Sequence, residues 1–479
     1  MTEQLTRPSA PVLSRAVSEL RGVLGPERVV ISEAVRAQHA HGEGLRDAAL
    51  PDVVVYPESN DEVAAILRLA NAARIPVIPF GTGTSLEGHL QALYGGISLD
   101  LSRMNRVLEI HAADLDCRVE ACVTREQLNA ELRASGLFFP IDPGANASLG
   151  GMAATRASGT NAVRYGTMRD NVLGLTVVTA DGRIIKTGTR ARKSSAGYDL
   201  TRLFVGSEGT LGVITEVQLR LYGLPERVSA AVCQFDTLAG AVESVIVAMQ
   251  LGIPLARIEL LDEWAMRASI RYSKLSGFAE KPTLFFEFHG TERAVEEQIE
   301  QMRAITAEHG GSDYAFADRP EERSRLWKAR HDAYWAGLTY VPGKHAFSTD
   351  ACVPISRLAE CVLEARALAE ASGLRCFIVG HVGDGNFHVL VTFNPTSREE
   401  RARADRLAED VARLALSMGG TCTGEHGIGL HKLALLEEEH GPAVELMRAI
   451  KRALDPNGIM NPGKTVPMAV ATEAQRVGL

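Results

Sequence analysis

A predicted β-hairpin constrains the C-terminal half of this chain more than any other feature of the sequence. Two apolar runs, Cys376–Val379 and Val389–Val391, flank the dipeptide Asp384-Gly385, which is typical of a two-residue hairpin turn. With this turn, His381 and His388 are directly opposed on one face of the hairpin, where Cβ atoms lie about 5 Å apart. Two imidazoles at that separation can bind one metal ion.

A later segment, Gly424–Gly427, contains a carboxylate that could complete such a site. Glu425 would provide an oxygen ligand and leave a fourth position open, as in catalytic zinc sites built from two histidines and one glutamate. The alternative is a glycine-rich hairpin with two surface histidines, and the spacing alone does not distinguish the two interpretations.

The composition excludes several classes of protein. The 479 residues suggest about three domains. A net charge of −8 argues against a general nucleic-acid-binding or anionic-membrane surface. Seven cysteines with no Cys-x-x-Cys pair indicate a reducing compartment rather than a disulfide framework or an iron–sulfur cluster. The polar start and the absence of a long apolar run predict a cytoplasmic protein, with peripheral contact to the inner membrane left open.

The first half of the chain begins with a βαβ pattern that leads into a glycine-rich loop. Asp52–Tyr56 and Ile75–Phe80 are predicted strands, and Ser59 or Asn60 is expected to cap the helix between them. The loop, Gly81–Gly88, is not a dinucleotide-binding fingerprint, because its third glycine comes seven residues after the first. Its small residues still let backbone N–H groups approach a phosphate. A tight turn without a ligand is the alternative.

Two further segments are rich in small residues. Pro140–Asn171 contains too many Gly, Ala, Ser and Thr residues to fill a core, and such backbone can lie flat against a large planar ligand. Gly206–Thr215 leads into a predicted strand, Glu216–Leu221. A long irregular loop is the alternative for the first segment, although long loops in compact domains are usually functional.

Together, these three segments resemble the flavin domain of the vanillyl-alcohol oxidase/p-cresol methylhydroxylase superfamily. The resemblance covers roughly residues 48–226. It implies that the first loop holds the FAD pyrophosphate and that the later glycines line the adenine and isoalloxazine rings. No histidine stands between Gly81 and Gly88, so we expect non-covalent FAD. The residues expected to contact FAD are Phe80, Gly81, Thr82, Gly83, Thr84, Ser85, Pro143, Gly144, Ser148, Gly150, Gly151, Ala154, Ser158, Gly159, Glu208, Gly212, Val213, Ile214 and Asn461.

After Pro225 the pattern changes to alternating strands and amphipathic helices, which predicts a second α+β domain. One of its helices places Trp327, Arg330, Tyr334 and Trp335 close together on one face. An arginine among aromatic rings can bind a carboxylate with two hydrogen bonds while the rings exclude water. Packing of the arginine over the rings, without a ligand, is the alternative.

The C-terminal half resembles the FAD-linked oxidase C-terminal domain and is most similar to the family of FAD-dependent D-lactate dehydrogenases. The similarity lies in Gly380–His388, Gly419–Gly427 and Asp455–Lys464. The flavin-binding glycolate oxidases and the D-2-hydroxyglutarate dehydrogenases are related families. The resemblance implies a divalent metal, zinc or manganese, and a proton acceptor and carboxylate anchor for the substrate. The residues implied are His381, His388 and Glu425 as metal ligands, His426 as the proton acceptor, Arg330 as the anchor, and Tyr334 and Asn386 as further substrate contacts.

This resemblance yields the predicted fold. We expect a p-cresol methylhydroxylase-type FAD-binding domain of two α+β subdomains, followed by an α+β cap domain with an antiparallel sheet. The predicted segments are a helical lead-in at 1–47, the FAD-binding domain at 48–226, a substrate or cap domain with the metal hairpin at 227–420, and a segment returning to the flavin domain at 421–479.

The predicted reaction is oxidation of a D-2-hydroxy acid to the 2-oxo acid, with hydride transfer to FAD N5. Electrons would pass to an external acceptor, a cytochrome, a quinone or an electron-transfer flavoprotein. The hydroxyglutarate enzymes carry a lysine where Ser348 aligns, which favours a monocarboxylate here. Glycolate or longer-chain 2-hydroxy acids are the alternatives within this reaction. A flavin subunit of a larger complex and a metal-dependent hydrolase are alternatives from other classes, and a homodimer is an open expectation.

Overall fold

The computed structural model describes residues 6–44 and 48–468. Residues 1–5, 45–47 and 469–479, which fall within the predicted lead-in and C-terminal segment, lie outside the described residues. Within the described chain, one compact unit contains the residues up to Ala157, Thr167–Gly223 and the chain from Glu425 onward. A second unit contains Ser158–Gly166 and Leu224–Gly424. We call them unit 1 and unit 2 and describe each by itself.

The first sheet of unit 1 is built on the predicted βαβ pattern. Its strands, in spatial order, are Val29–Val30, Val53–Val55, Ile97–Asp100 and Val77–Phe80. The last three strands are parallel, and Val53–Val55 is fully buried, as is usual for a parallel strand covered on both faces. The helix Asn60–Ala73 begins where predicted, because the Ser59 hydroxyl accepts a hydrogen bond from the backbone N–H of Glu62 at 3.2 Å.

The second sheet of unit 1 is antiparallel. Its strands, in spatial order, are Val107–His111, Asp116–Glu120, Val213–Arg220, Val172–Val178 and Ile184–Lys186. A short pair joins Leu137–Phe138 to Tyr222–Gly223. The helices of unit 1 are Ala10–Leu24, Glu33–Gln38, Asn60–Ala73, Arg125–Leu132, Leu149–Thr155, Met168–Asn171, Leu200–Phe204, Leu433–His440 and Ala443–Leu454. Two apolar cores result, one at each sheet.

Unit 2 contains one long antiparallel sheet, which confirms the predicted α+β class with an antiparallel second domain. Its strands, in spatial order, are Gly311–Ala317, Arg227–Phe235, Thr283–Gly290, Leu255–Leu261, Arg375–His381, Asn386–Phe393 and His345–Ser348, and Ala351–Cys352 also pairs with Asn386–Phe393. Its helices are Ala162–Tyr165, Leu238–Gln250, Glu263–Ser273, Glu292–Glu308, Pro320–His331, Ala333–Tyr340, Leu358–Ala371 and Arg398–Ser417.

The two faces of the unit 2 sheet bury different side chains. One face packs Phe286, Phe288 and Val389 against helices in the largest apolar core. The opposite face packs against the helices around Trp327. It also carries buried charged and polar side chains, among them Glu259 and His388. Buried polar groups require partners, so this second face is where the side chains of a functional site can be held together.

Candidate active site

The predicted hairpin forms, but its register differs from the prediction. His381 pairs with Asn386 and His388 pairs with Val379, so the two histidines are not directly opposed. The turn is longer than two residues, because Val382–Asp384 forms a 3₁₀ turn, with Val382 and Gly383 buried, before Gly385 adopts a φ of +76°. The histidines are diagonal neighbours on the same sheet face, and their ring centroids lie 5.4 Å apart.

Each histidine uses its Nδ1 atom for a bond to the protein. His381 Nδ1 lies 2.8 Å and 3.0 Å from the two carboxylate oxygens of Glu259. His388 Nδ1 lies 2.9 Å from the backbone carbonyl of Thr349, which can only accept, so this nitrogen carries the proton. Partners of this kind fix the tautomer and the ring orientation of metal-binding histidines and leave Nε2 as the metal-binding atom. The donor set therefore fits a divalent metal.

Glu259 is a site residue that the sequence interpretation missed. It lies in the strand Leu255–Leu261 and is fully buried. Its carboxylate lies 2.8 Å from His381 Nδ1 and 2.6 Å from Arg330 Nη2. Burial raises the pKa of the Glu259 carboxyl, but His381 and Arg330 outweigh it and hold the pKa below its usual value. The sequence did hold a signal, because Glu259 is a charged residue within an otherwise largely apolar strand. Such a group is costly to bury unless it has partners.

The predicted aromatic face around Arg330 is only partly present. The helix Pro320–His331 ends before Tyr334, and a new helix, Ala333–Tyr340, begins after Asp332. Trp327 and Arg330 are buried, whereas Trp335 is 56% exposed. The four side chains therefore belong to two helices, and the prediction that one helix carries all of them is wrong. The Tyr334 hydroxyl donates to the backbone carbonyl of Ala346 at 3.2 Å.

Arg330 keeps hydrogen-bonding capacity beyond its bond to Glu259. Among the described residues, its Nε atom is buried and has no hydrogen-bond partner. A guanidinium presents five N–H donors in a fixed fork, and an N–H left unpaired in a buried place is costly. The arrangement fits a carboxylate ligand at the remaining N–H groups.

Asn386 connects the hairpin to the end of unit 2. Its Nδ2 atom donates to Asp350 at 2.8 Å and to the backbone carbonyl of Ala351 at 2.9 Å. Asp350 in turn accepts a hydrogen bond from the Thr423 hydroxyl at 2.7 Å. A Cβ added to Gly424 would lie 2.3 Å from Asn386 Nδ2, so only glycine allows this close approach. These contacts fix the backbone that immediately precedes Glu425.

In unit 1, His426 lies beside a buried carboxylate that the sequence interpretation did not single out. Its Nδ1 atom is 3.5 Å from Glu87 Oε1, and Glu87 also contacts His431 and Lys432 at 3.4 Å and 3.2 Å. Burial raises the pKa of Glu87, but Lys432 and the two histidines outweigh it and hold the pKa well below its usual value. The sequence held no signal for this cluster, because Glu87 is far along the chain from its partners.

The glycine-rich loop of unit 1 packs closely against the start of the helix Leu149–Thr155. A Cβ on Gly81 would lie 2.3 Å from Ser148 Oγ, and one on Gly151 would lie 2.8 Å from the same atom. The backbone N–H of Ser148 donates to the Thr82 hydroxyl at 3.3 Å. Among the described residues, Ser85 Oγ is buried without a hydrogen-bond partner. Close backbone approach and an unpaired hydroxyl fit the phosphate role expected of this loop.

The carboxylate of Glu208, a predicted cofactor contact, is held by bonds within unit 1. It accepts hydrogen bonds from the backbone N–H groups of Ile428 and Gly429 at 2.7 Å and 2.8 Å, and from the Thr465 hydroxyl at 2.7 Å. His89 lies 3.1 Å away. Glu208 thus binds the chain segment that follows His426 within unit 1.

The other predicted cofactor residues lie in several segments of the chain. Phe80 ends a strand of the first sheet, Gly83 and Thr84 lie in the loop, and Pro143 and Gly144 precede the helix that contains Gly150 and Ala154. Gly212, Val213 and Ile214 lie at the start of the strand Val213–Arg220, and Asn461 donates to the backbone carbonyl of Glu208 at 2.8 Å. Ser158 and Gly159 belong to unit 2.

Two family models match the chain. The model described as "FAD binding domain" matches residues 51–188, and the model described as "FAD linked oxidases, C-terminal domain" matches residues 224–465. Among the described residues, no helix combines the length and the apolar content needed to cross a membrane.

Curated relatives match over most of the chain. A probable mitochondrial D-lactate dehydrogenase of Danio rerio is 52% identical over 97% of this chain and 94% of its own length. A mitochondrial D-lactate dehydrogenase [cytochrome] of Arabidopsis thaliana is 50% identical over 87% of this chain and 74% of its own length. Glycolate oxidase subunit GlcD of Bacillus subtilis is 34% identical over 93% of this chain and 95% of its own length.

Solved structures confirm the predicted type of fold. The structure of p-cresol methylhydroxylase with substrate bound gives a TM-score of 0.81 at 18% identity, covering 97% of this chain and 99% of that chain. The 4-ethylphenol oxidase of Gulosibacter chungangensis gives 0.79 at 18% identity, covering 96% and 98%. At this identity the similarity concerns the fold alone.

Proposed function

Because this chain belongs to the family of FAD-linked oxidases that includes the D-lactate dehydrogenases, we propose that it oxidises a D-lactate-like 2-hydroxy acid to the 2-oxo acid. Membership of the family makes the chain an FAD-dependent oxidoreductase. The substrate, its handedness, the metal and the residue roles are the proposed part.

The observation that supports the proposal best is the pair formed by His381 and His388. Their ring centroids are 5.4 Å apart, and each Nδ1 atom is fixed by a protein acceptor. We propose that both Nε2 atoms bind zinc or manganese. Glu425 is the proposed third ligand, since it directly follows Gly424, which packs against Asn386 on the same hairpin.

FAD and a divalent metal would supply hydride acceptance and Lewis acidity, which amino-acid side chains lack. FAD, when bound, accepts two electrons as a hydride. A divalent metal held by the two histidines would supply Lewis acidity, which lowers the pKa of a hydroxyl group. Loop Gly81–Ser85 and the helix start at Ser148–Gly151 would hold the FAD phosphates, because Gly81 and Gly151 leave no side chain of their own beside the Ser148 hydroxyl.

The side chains have proposed roles in binding and proton transfer. His426 accepts the proton of the substrate hydroxyl, which requires the neutral imidazole, so we expect the rate to fall on the acid side. Arg330 binds the substrate carboxylate through N–H groups that Glu259 does not occupy. A carboxylate fixed by Arg330 and a hydroxyl fixed at the histidines together leave one face of the substrate carbon for oxidation, which selects one hand. Tyr334 and Asn386 are proposed to shape the pocket.

We propose a short substrate with a single carboxylate group. Ser348 stands where the hydroxyglutarate enzymes carry a lysine, and its hydroxyl donates to its neighbour's backbone carbonyl at 3.3 Å. A serine provides no cation for a second carboxylate. Glycolate is the second candidate substrate, because one matched relative is named as a glycolate oxidase subunit.

A cytochrome is the proposed electron acceptor, because relatives from plant and yeast carry the designation D-lactate dehydrogenase [cytochrome]. A quinone and an electron-transfer flavoprotein are the alternatives. These relatives are named as mitochondrial, so the cytoplasmic location expected from the sequence stays a prediction. The expected homodimer also stays a prediction.

The test is a dye-reduction screen with the D and L forms of lactate and longer 2-hydroxy acids, and with glycolate. We expect D-lactate to be oxidised faster than L-lactate, activity to be lost after treatment with EDTA, and activity to return with zinc or manganese. Full activity in protein shown by elemental analysis to be metal-free would reject the metal. A yellow protein that reduces dye with none of these acids would reject the substrate class.

A further inference from the structure

Two neighbouring strands of unit 2 carry the same arrangement of buried side chains, a carboxylate between a histidine and an arginine. Glu259 lies between His381 and Arg330. Glu287 lies between His289, at 2.8 Å, and Arg257, at 3.4 Å. In both cases the carboxylate is buried. Only the first arrangement contains residues of the proposed site.

Glu259 serves both partners with one carboxylate group. Both of its oxygens lie within 3.0 Å of His381 Nδ1, and Oε2 also lies 2.6 Å from Arg330 Nη2. The side chain is 1% exposed, so bulk water does not compete for either bond. The orientation of the imidazole and that of the guanidinium therefore depend on the same two atoms.

We propose that Glu259 is a positioning residue that couples metal binding at His381 to carboxylate recognition by Arg330. The inference rests on the proposed function and extends it. Glu259 does not touch the substrate. It fixes the histidine that binds the metal and the arginine that binds the substrate carboxylate, so that one change weakens both.

Glu259→Gln keeps the size of the side chain but removes its charge and replaces one hydrogen-bond acceptor by a donor. The carbonyl oxygen of the glutamine can accept from one partner, whereas its NH₂ group donates and faces a second donor. If the NH₂ group faces His381, the imidazole must present an unprotonated Nδ1 and carry its proton on Nε2, the atom proposed to bind the metal. If it faces Arg330, two donors meet and the guanidinium must move. Glu259→Gln therefore disturbs at least one of the two functions directly and the other through the shared site.

The matched control is Glu287→Gln, which removes the same charge from the second arrangement. Both variants lose a buried carboxylate between a histidine and an arginine, so both are expected to lower the unfolding temperature by similar amounts. Only the first is expected to change the properties of the proposed site. Glu259→Asp, which keeps the charge on a shorter side chain, is the second variant should Glu259→Gln fail to fold.

The experiment measures zinc affinity and substrate affinity separately in the FAD-bound protein. Zinc affinity is obtained without substrate, by competition with a chromophoric chelator, and KM for D-lactate is obtained at saturating zinc. We expect Glu259→Gln to weaken zinc binding about 10- to 100-fold, the range found for outer-shell partners of metal ligands. We expect its KM to rise by at least about tenfold, and Glu259→Asp to show both effects to a smaller extent. Glu287→Gln should leave both values within about twofold of the original protein.

The outcomes separate this inference from the proposed function. If the unsubstituted protein binds no zinc and oxidises no hydroxy acid, the proposed function fails. If the unsubstituted protein does both, and the substitutions at Glu259 leave zinc affinity and KM unchanged, the coupling is wrong. A change in only one of the two values, or equal changes in Glu287→Gln, would also overturn it.

Discussion

The Oε1 atom of Glu87 lies 3.5 Å from the Nδ1 atom of His426, and both side chains are buried within unit 1. The pKa of Glu87 is held well below its usual value despite burial, because Lys432, His426 and His431 surround it. An anionic carboxylate at Nδ1 favours the tautomer with the proton on that atom. That tautomer leaves the other ring nitrogen of His426, Nε2, unprotonated, as the proposed role of proton acceptor requires.

The first prediction concerns this carboxylate. Glu87→Gln removes the charge that orients His426 but keeps the imidazole, so we expect kcat to fall by roughly 10- to 100-fold, less than the roughly 100- to 10,000-fold that general acid–base catalysis contributes as a whole. KM for D-lactate should change by less than about threefold, because Arg330 and the histidines of unit 2 are untouched. Steady-state dye reduction measures both values.

Asp116→Asn provides the control for this prediction. Asp116 is a buried carboxylate of unit 1 that binds His111 at 2.8 Å, but His111 has no proposed catalytic role. We expect this variant to be less stable and to keep its kcat. A normal kcat in Glu87→Gln, or an equal loss in both variants, would show that Glu87 does not act through His426.

The sequence predicted those parts of the fold that depend on local patterns. The strands Val53–Val55 and Val77–Phe80 lie within the predicted ranges, and Ser59 caps the helix between them as expected. A hairpin also forms around Asp181-Gly182, a dipeptide that is typical of hairpin turns. Capping residues, turn dipeptides and apolar periodicity act over a few residues, so they can be recognised without knowing the rest of the chain.

The parts that could not be predicted depend on contacts between distant segments. The register of the His381 hairpin was wrong because the turn is set by packing of Gly383 against Val163 and Ile258, which no turn rule includes. Glu259 appeared in the sequence only as one residue of a strand, and its bond to Arg330 exists only once the sheet and the helix have formed. The candidate site was recognised from family resemblance, whereas the carboxylates that orient it required the structure.

The second prediction is an acid-dependent loss of stability through Glu208. Burial raises the pKa of this carboxyl, but His89, Thr465 and Ile428 outweigh it, so the pKa is lowered. A carboxyl with a lowered pKa in the folded state stabilises the protein above its unfolded pKa of about 4.3, and this stabilisation is lost as the pH falls through the folded value.

Glu208→Gln should therefore flatten the acid side of the stability profile. At neutral pH we expect it to lower the free energy of unfolding by about 2 to 3 kcal/mol, the size of a hydrogen bond to a charged group. The difference from the unsubstituted protein should shrink below about pH 4. Thermal unfolding between about pH 3 and 8 measures it, with the exposed Glu19→Gln as a control that should change stability by less than about 0.5 kcal/mol. A constant difference across this range would contradict the assignment to Glu208.

The third prediction tests the buried turn of the hairpin. A Cβ at Gly383 would lie 2.5 Å from Ile258 and 2.7 Å from Val163, both within unit 2. Gly383→Ala should therefore overpack this region and cost about 1 to 3 kcal/mol of stability. Gly22→Ala, in the helix Ala10–Leu24 with no atom within 4 Å of the new Cβ, should instead stabilise by about 0.5 to 1 kcal/mol. Chemical denaturation distinguishes them, and equal stability of the two variants would contradict the packing argument.

The fourth prediction concerns the arginine that Glu259 holds. Arg330→Lys keeps the positive charge but loses the fork that can bind Glu259 and a substrate carboxylate at the same time. Since one hydrogen bond to a charged group contributes about 1.5 to 3 kcal/mol, we expect KM for D-lactate to rise roughly 10- to 100-fold. The absorbance of bound FAD near its visible maximum should not change, because Arg330 is not among the residues expected to contact FAD. Arg325→Lys, on the exposed side of the same helix, is the matched control and should keep the original KM. An unchanged KM in Arg330→Lys would remove this residue from substrate binding and leave it only its ion pair with Glu259.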